Sequence, residues 1–312
     1  MAAILALHLL SCASEPEYVR RSSDVPLSSS AEAALPVVPL LTRDTEGVVP
    51  LGRLGPPAHT FPTSHHYLYL ANPGRRVPVF APADIVVTEI TTQSGRARNF
   101  TDYSIRFEIR DRLIGRFLHL SRLSPTLSDR ARDSNMGSAH TVDIGTDVLE
   151  IRKVRVHVPV EAGEPVGTAG GNPNVLALDF GLYDYTEPHE FVSKDRVNGD
   201  LLHAVSAYDY YGKDLQQVLA YFNRRTATPV GGQVCYDIPG TAQGIWFHPQ
   251  YDDASEHRHL TLAPDHIDPS VEVFSIALTV PGLDAGTYSF APSESGDDPS
   301  GNVSFASVRA DG

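Results

Sequence analysis

From Val48 to Tyr185 the chain is written in short alternating segments. "VPVFAPADIVVTEIT", "YSIRFEIRD", "LIGRFLHLS", "VLEIRKVRVHVPV" and "VLALDFGLYD" put apolar side chains at every second position or in short β-branched runs, with Gly, Pro and Asn between them. A period of two suits a strand with one buried face and does not suit a helix. This stretch is therefore expected to form a mostly antiparallel β-domain over residues 48–190. The pattern changes in "DLLHAVSAYDYYGKDLQQVLAYFNRR", where Leu215, Val218, Leu219 and Phe222 repeat at the spacing of a helix face. A helical connector over 191–230, packed between two domains, is the expectation. After "TATPVGG" strand-like text returns in "QVCYDI", "GIWFH", "HLTLA", "VEVFSIALTV", "GTYSFA" and "VSFASVRA", predicting a second all-β module of sandwich or barrel type over 231–312.

At 312 residues the chain has the length of about two domains of ~150 residues each. Its 25 basic residues against 38 acidic ones give a net charge of −13, which removes the electrostatic attraction that nucleic-acid binding depends on, so no nucleic-acid partner is expected. The acid is concentrated: from Gly231 onward twelve Asp and Glu face only Arg258 and Arg309. That asymmetry marks the second module as a separate unit.

The first twelve residues, "MAAILALHLLSC", form an apolar run ending in a small residue before Cys12, the pattern accepted by bacterial lipoprotein signal peptidase. Its n-region carries no Lys or Arg, and a buried N-terminal helix is the competing reading. The Ser- and Pro-rich residues 13–47 are expected to be a disordered tether, too polar to fold alone. Lipidation of Cys12 would anchor the chain to a membrane and leave Cys235 as the second of two cysteines; a disulfide between them is the alternative.

Three motifs occur in order: Pro78-Val79 leading to Ala81-Pro82-Ala83-Asp84, the strand Phe117-Leu118-His119-Leu120, and Gly163-Glu164-Pro165-Val166-Gly167. Over roughly residues 55–185 this order resembles the lysostaphin-like (LytM-type) zinc endopeptidases, which cleave the peptide cross-links of bacterial peptidoglycan. The resemblance implies an antiparallel β-domain of the duplicated hybrid motif type. It also implies a tetrahedral zinc with three protein ligands and an open position for water. The ligands come from a His-x-Gly-x-Asp segment and from the second His of a His-x-His, and two further His residues assist the reaction.

Carried over by position, counting back from Pro78, His66 stands where the first metal-binding His belongs. Leu68 replaces the Gly and Leu70 the ligand Asp. Ala177-Leu178-Asp179 replaces the His-x-His, so Asp179 takes the second metal-binding position and Ala177 an assisting one. His119 keeps the other assisting position and is the candidate catalytic residue. His66 and Asp179 are the candidate metal ligands, one short of the three that a catalytic zinc takes from protein; His59, His65, His140 and His157 lie in the same domain.

Family members that lack the metal ligands act as activators or organisers of separate cell-wall hydrolases. The expected function is accordingly a non-catalytic protein of the bacterial cell envelope that binds peptidoglycan or regulates a hydrolase, with no cofactor. The alternative is an active zinc endopeptidase with a rearranged ligand set. A third reading makes the acidic module a glycan- or calcium-binding domain, on Trp246, the His257, His259 and His266 group and "SGDDPSGN".

Overall fold

The computed structural model describes residues 26–29, 33–56, 59–95, 101–133, 137–143, 148–225, 227–251, 256–293 and 302–310. Cys12 and most of "SGDDPSGN" lie outside them. The strands are β1 (Thr45–Val49), β2 (His66–Leu70), β3 (Val77–Phe80), β4 (Ile85–Gly95), β5 (Thr101–Arg110), β6 (Leu113–Leu123), β7 (Gly137–Asp143), β8 (Val148–Val160), β9 (Pro165–Ala169), β10 (Ala177–Asp184), β11 (Ala204–Val205), β12 (Gly244–Trp246), β13 (Leu260–Pro264), β14 (Glu272–Ile276) and β15 (Gly286–Phe290). The helices are α1 (Pro125–Asp133), α2 (Gly199–His203) and α3 (Lys213–Phe222). The protein is mainly β, and every pairing between named strands is antiparallel.

The large sheet runs β1-β2-β10-β6-β5-β4-β8-β7, with β9 branching from β6 to pair β3. Its core is built from the alternating positions read in the sequence. Phe107 of β5, Phe117 of β6 and Phe180 of β10 are fully buried and touch ring to ring, with centroids 5.1 and 5.0 Å apart. Gly115 lies opposite Phe107 in the register, and a Cβ there would come within 2.1 Å of the Phe107 ring. Glycine is required at this point because the phenylalanine occupies the space a side chain would fill.

The apolar run before β1 does not behave as a tether. Leu35, Val38, Leu40 and Leu41 are buried, and two backbone bonds lay the segment along the free edge of β3: Val37 N–H to the Pro82 carbonyl at 3.0 Å and Phe80 N–H to the Pro39 carbonyl at 2.9 Å. Pro36 and Pro39 hold the segment extended while covering an otherwise open strand edge. The expected boundary at residue 47 thus falls too late, because the Ser-rich text hides an apolar LPVVPLL run. The helix α3 forms as read, but Leu215 packs into the large sheet's core, with Leu219 and Phe222 against it, and the helix lies beside β1 and not between two domains.

A second antiparallel sheet, β12-β13-β14-β15, follows. "QVCYDI" is not one of its strands. Val234 and Tyr236 are buried in separate clusters, and the Asp237 carboxylate accepts the Val192 and Ile245 N–H groups at 2.8 and 3.0 Å. In "VSFASVRA" the chain makes a 3-10 turn that wedges Phe305 against Phe274 and Phe290. Trp246 is exposed, donating from Nε1 to the Ala242 carbonyl.

The segment from Leu51 to Phe61 ties the two sheets together. Phe61 stacks on His259 at 5.7 Å and meets Phe247 edge-on at 5.4 Å, while the Glu256 carboxylate accepts its backbone N–H at 3.0 Å. Burial pushes the Glu256 carboxyl up to about 7 against the pull of these backbone donors.

Gly115→Ala should overpack the core and cost about 1–3 kcal/mol in urea unfolding. Gly199→Ala, where a Cβ would meet nothing within 4 Å, should be neutral or slightly stabilising. Equal midpoints for the two variants would contradict the Phe107 packing.

Candidate functional site

Strand alternation decides which residues can meet. On β2 and β10 the core side takes Leu68 and Leu70 with Leu178, Phe180 and Leu182. The opposite face therefore carries His65, Tyr67 and Tyr69 beside Ala177 and Asp179, in a register that pairs Tyr67 with Asp179 and Tyr69 with Ala177. The third strand contributes through an irregularity. Phe117 and Leu120 of β6 are both fully buried, which strict alternation forbids. The pairing with β5 shifts between them, and His119 adopts φ +66°, a left-handed conformation uncommon for a residue other than glycine. The bulge turns His119 out to the face that Asp179 occupies.

Four side chains join there. His119 Nδ1 lies 2.6 Å from Asp102 Oδ2, and its Nε2 lies 3.4 Å from Asp179 Oδ2. His65 Nε2 approaches the same Asp179 oxygen at 3.3 Å but makes no hydrogen bond to any described residue. His59 meets His65 edge-on at 5.5 Å, and Tyr67 lies 4.9 Å from the His65 ring. The Arg53 guanidinium covers Tyr67 and bonds the Tyr69 hydroxyl at 3.2 Å.

The electrostatics separate these histidines. Burial opposes charge on His119, but the hydrogen bonds to Asp102 and Asp179 outweigh it and push the ring up to about 10. Burial holds His65 below its ordinary value despite Asp179, and brings His59 down to about 4 with help from His65. His119 is thus an imidazolium, hydrogen-bonded through Nδ1 to Asp102 and ion-paired through Nε2 with Asp179.

His66 is absent from this group. As the neighbour of His65 on a strand it points into the core, where its Nε2 accepts the Ala207 N–H at 3.1 Å. Burial, with a smaller contribution from His65, drives it down to about 3. Of the three site residues read from the sequence, Asp179 and His119 come together and His66 does not. Counting back from Pro78 lands one residue late, on the wrong face. The position four residues beyond His65 is Tyr69, so no carboxylate stands there in either count. Asp102, His65 and His59 were not singled out as site residues. The alternation of Leu68 and Leu70 could have excluded His66 in favour of His65; nothing in the sequence marks Asp102. His140 and His157 lie on β7 and β8, away from the site's strands, and His259 is buried against Phe61.

Two recesses flank the group. One, of about 690 Å³, opens between the β4–β5 hairpin and the Gly170–Val175 loop and is lined by Asp102 and His119. The other, of about 450 Å³, is lined by His59, His65, Arg116 and Glu256. Among the described residues no three of His, Cys, Asp and Glu are arranged to hold a metal ion together. No family model, curated protein or solved structure matches the chain.

In metal-free protein the His119 ring should read as an imidazolium by NMR at pH 7.5 and titrate only near 10, and Asp102→Asn should lower that midpoint by about a unit or more. The folded value lies above the ordinary 6.5, so the stability this ring contributes is complete below pH 6.5 and is lost as the pH climbs through about 10. A neutral ring at pH 7.5 would show that the carboxylates do not hold it. His66 has the opposite sign. Its stability is complete above pH 6.5 and declines as the pH falls toward 3, by about 1.4 kcal/mol per unit at most. His66→Gln, which keeps an acceptor for Ala207, should flatten the fall in urea midpoint between pH 7 and 4.5; an unchanged slope would place His66 outside the core.

Proposed function

We propose that the chain carries a non-catalytic LytM-like domain, held at the bacterial envelope through Cys12, that binds the peptide part of peptidoglycan without cutting it. The observation that carries this reading is the double engagement of His119. An imidazolium hydrogen-bonded to Asp102 at Nδ1 and ion-paired with Asp179 at Nε2 has no lone pair to offer as a general base or as a metal ligand. Ala177 stands at the other assisting position of the motif. The recesses on either side of Asp179 give room for an extended chain to pass the site. Cell-wall peptide is the occupant that fits the motif order and the lipobox-like N-terminus.

A second reading, an active zinc endopeptidase, is favoured by one observation. His65 Nε2 is buried without a hydrogen-bond partner, and it and His119 Nε2 lie 3.3 and 3.4 Å from Asp179 Oδ2. That separation is roughly the edge of a tetrahedron built on bonds of ~2.0–2.1 Å. Asp102 on Nδ1 resembles the carboxylates that orient zinc-bound histidines. His65, His119 and Asp179 would have to shift into a ligand set that they do not form as they stand, and the metal would then supply a Lewis acid and an activated water. The first reading is preferred because the three groups are not arranged to hold a metal ion together and His119 is already bonded to Asp102.

The test is zinc content together with sedimentation and fragment release on purified sacculi. The expected result is pelleting with sacculi, substoichiometric zinc and no released muropeptides. Stoichiometric zinc with cross-link cleavage, both abolished by His65→Ala, would establish the second reading in its place.

A further inference from the structure

The recess beside His119 carries an excess of positive charge among its described lining residues. Arg76 and Arg122 both line it. Both are exposed, and neither is ion-paired or hydrogen-bonded through its side chain to any described residue. The only acid among the described lining residues is Asp102, which is already bonded to His119. Two uncompensated guanidinium groups thus share one concave surface on a chain of net charge −13.

Arg76 also packs against the loop backbone. Its side chain lies across Gly171 so closely that a Cβ there would fall 2.7 Å from Cγ and 2.9 Å from Nε. Gly171 itself is at φ +81°, a conformation that disfavours any side chain. The next residue, Asn172, has its Oδ1 committed to the Asn174 N–H at 3.1 Å, leaving its amide NH₂ as a further donor in the same wall. Donors therefore dominate this wall of the recess.

We infer that this recess takes the free carboxylate of an extended peptide, with Arg76 and Arg122 as the residues that recognise it. Guanidinium forks match a carboxylate in charge and in planar geometry. A polyanion fits less well, since the acidic surface elsewhere repels a long negative chain while tolerating a single carboxylate on an otherwise neutral peptide. The inference rests on the peptide-binding reading above and adds to it the charge of the ligand. The carboxylate can belong to a chain end or to an acidic side chain.

Calorimetry on the full chain separates these. The probes are N-acetyl tetra-alanine with a free C-terminus, its C-terminal amide, and the amide of N-acetyl-Ala-Glu-Ala-Ala. At least one carboxylate peptide should bind roughly tenfold or more tightly than the neutral amide. Which one does so identifies the source. Arg76→Ala and Arg122→Ala should each remove most of that preference, weakening the carboxylate peptide more than the amide. Equal binding of all three peptides, or arginine variants that keep the preference, overturns the inference. Tighter binding of tripolyphosphate than of any peptide also overturns it, reassigning the arginines to a phosphate polymer. Sedimentation with sacculi distinguishes the two levels. A parent chain that pellets with sacculi but shows no carboxylate preference sinks the inference and leaves the peptide-binding reading standing. A parent chain that neither pellets nor binds any peptide sinks both.

Discussion

The site exists because three neighbouring strands, β2, β10 and β6, turn only one face to the sheet's apolar core. Leu68, Leu178, Phe180 and Phe117 fix that face in the core, and each is nearly or fully removed from water. Burying a side chain of this size is worth about 1.5–3 kcal/mol, so a register slip of one residue, which would exchange the two faces, is prohibitive. Everything polar in the site inherits its position from this apolar arrangement. His65 meets Asp179 because Leu68 and Leu70 have nowhere else to go.

His119 is the one place where the arrangement departs from alternation, and the departure has an identifiable cost and compensation. Left-handed backbone at a residue other than glycine costs on the order of 1–3 kcal/mol. Two gains offset it: Phe117 and Leu120 both reach the core, and the ring obtains two carboxylate partners in partly desolvated surroundings, where charge-assisted bonds are strong. The side chain remains 41% exposed on the groove side. A strained, charged residue at the mouth of a recess is what a binding surface requires. The same double engagement would hinder a proton-transfer role.

Most of the large sheet could be read from the sequence, because β4, β5, β6, β8 and β10 carry the period-two signal over long segments. Where the signal was short or masked by polar neighbours, the reading failed. Leu35 to Leu41 sit behind a Ser-rich stretch, and β7 (GSAHTVD) has too few apolar residues to register as a strand. "QVCYDI" alternates like a strand yet is held as an irregular segment by Asp237, whose two backbone bonds involve the nearby Ile245 and Val192, 45 residues away in sequence. In the site, Asp179 and His119 were legible because motif spacing and strand position agree there. His66 was misplaced because spacing was counted across the Pro73–Val77 turn, where one residue changes the face. Asp102 was invisible, since its role depends on a bulge in a different strand.

The second sheet bears on the site through the segment that precedes β2. Phe61 is clamped by His259, Phe247 and Glu256, and only a few residues separate it from His65. His59 lies on the other side of the same anchor. The guanidinium of Arg196 covers Phe247 at 4.4 Å and closes that cluster from outside. The entry of β2 is therefore positioned by contacts that belong to the acidic unit, so the two units form one site-bearing assembly. This accounts for a division of charge that composition alone could only register. The negative unit supplies the clamp, while the exposed arginines stand across the groove on the loops around β3 and at the end of β6. A ligand entering beside His119 meets positive charge, and the strand that carries the site's other face is held from behind by the acidic sheet.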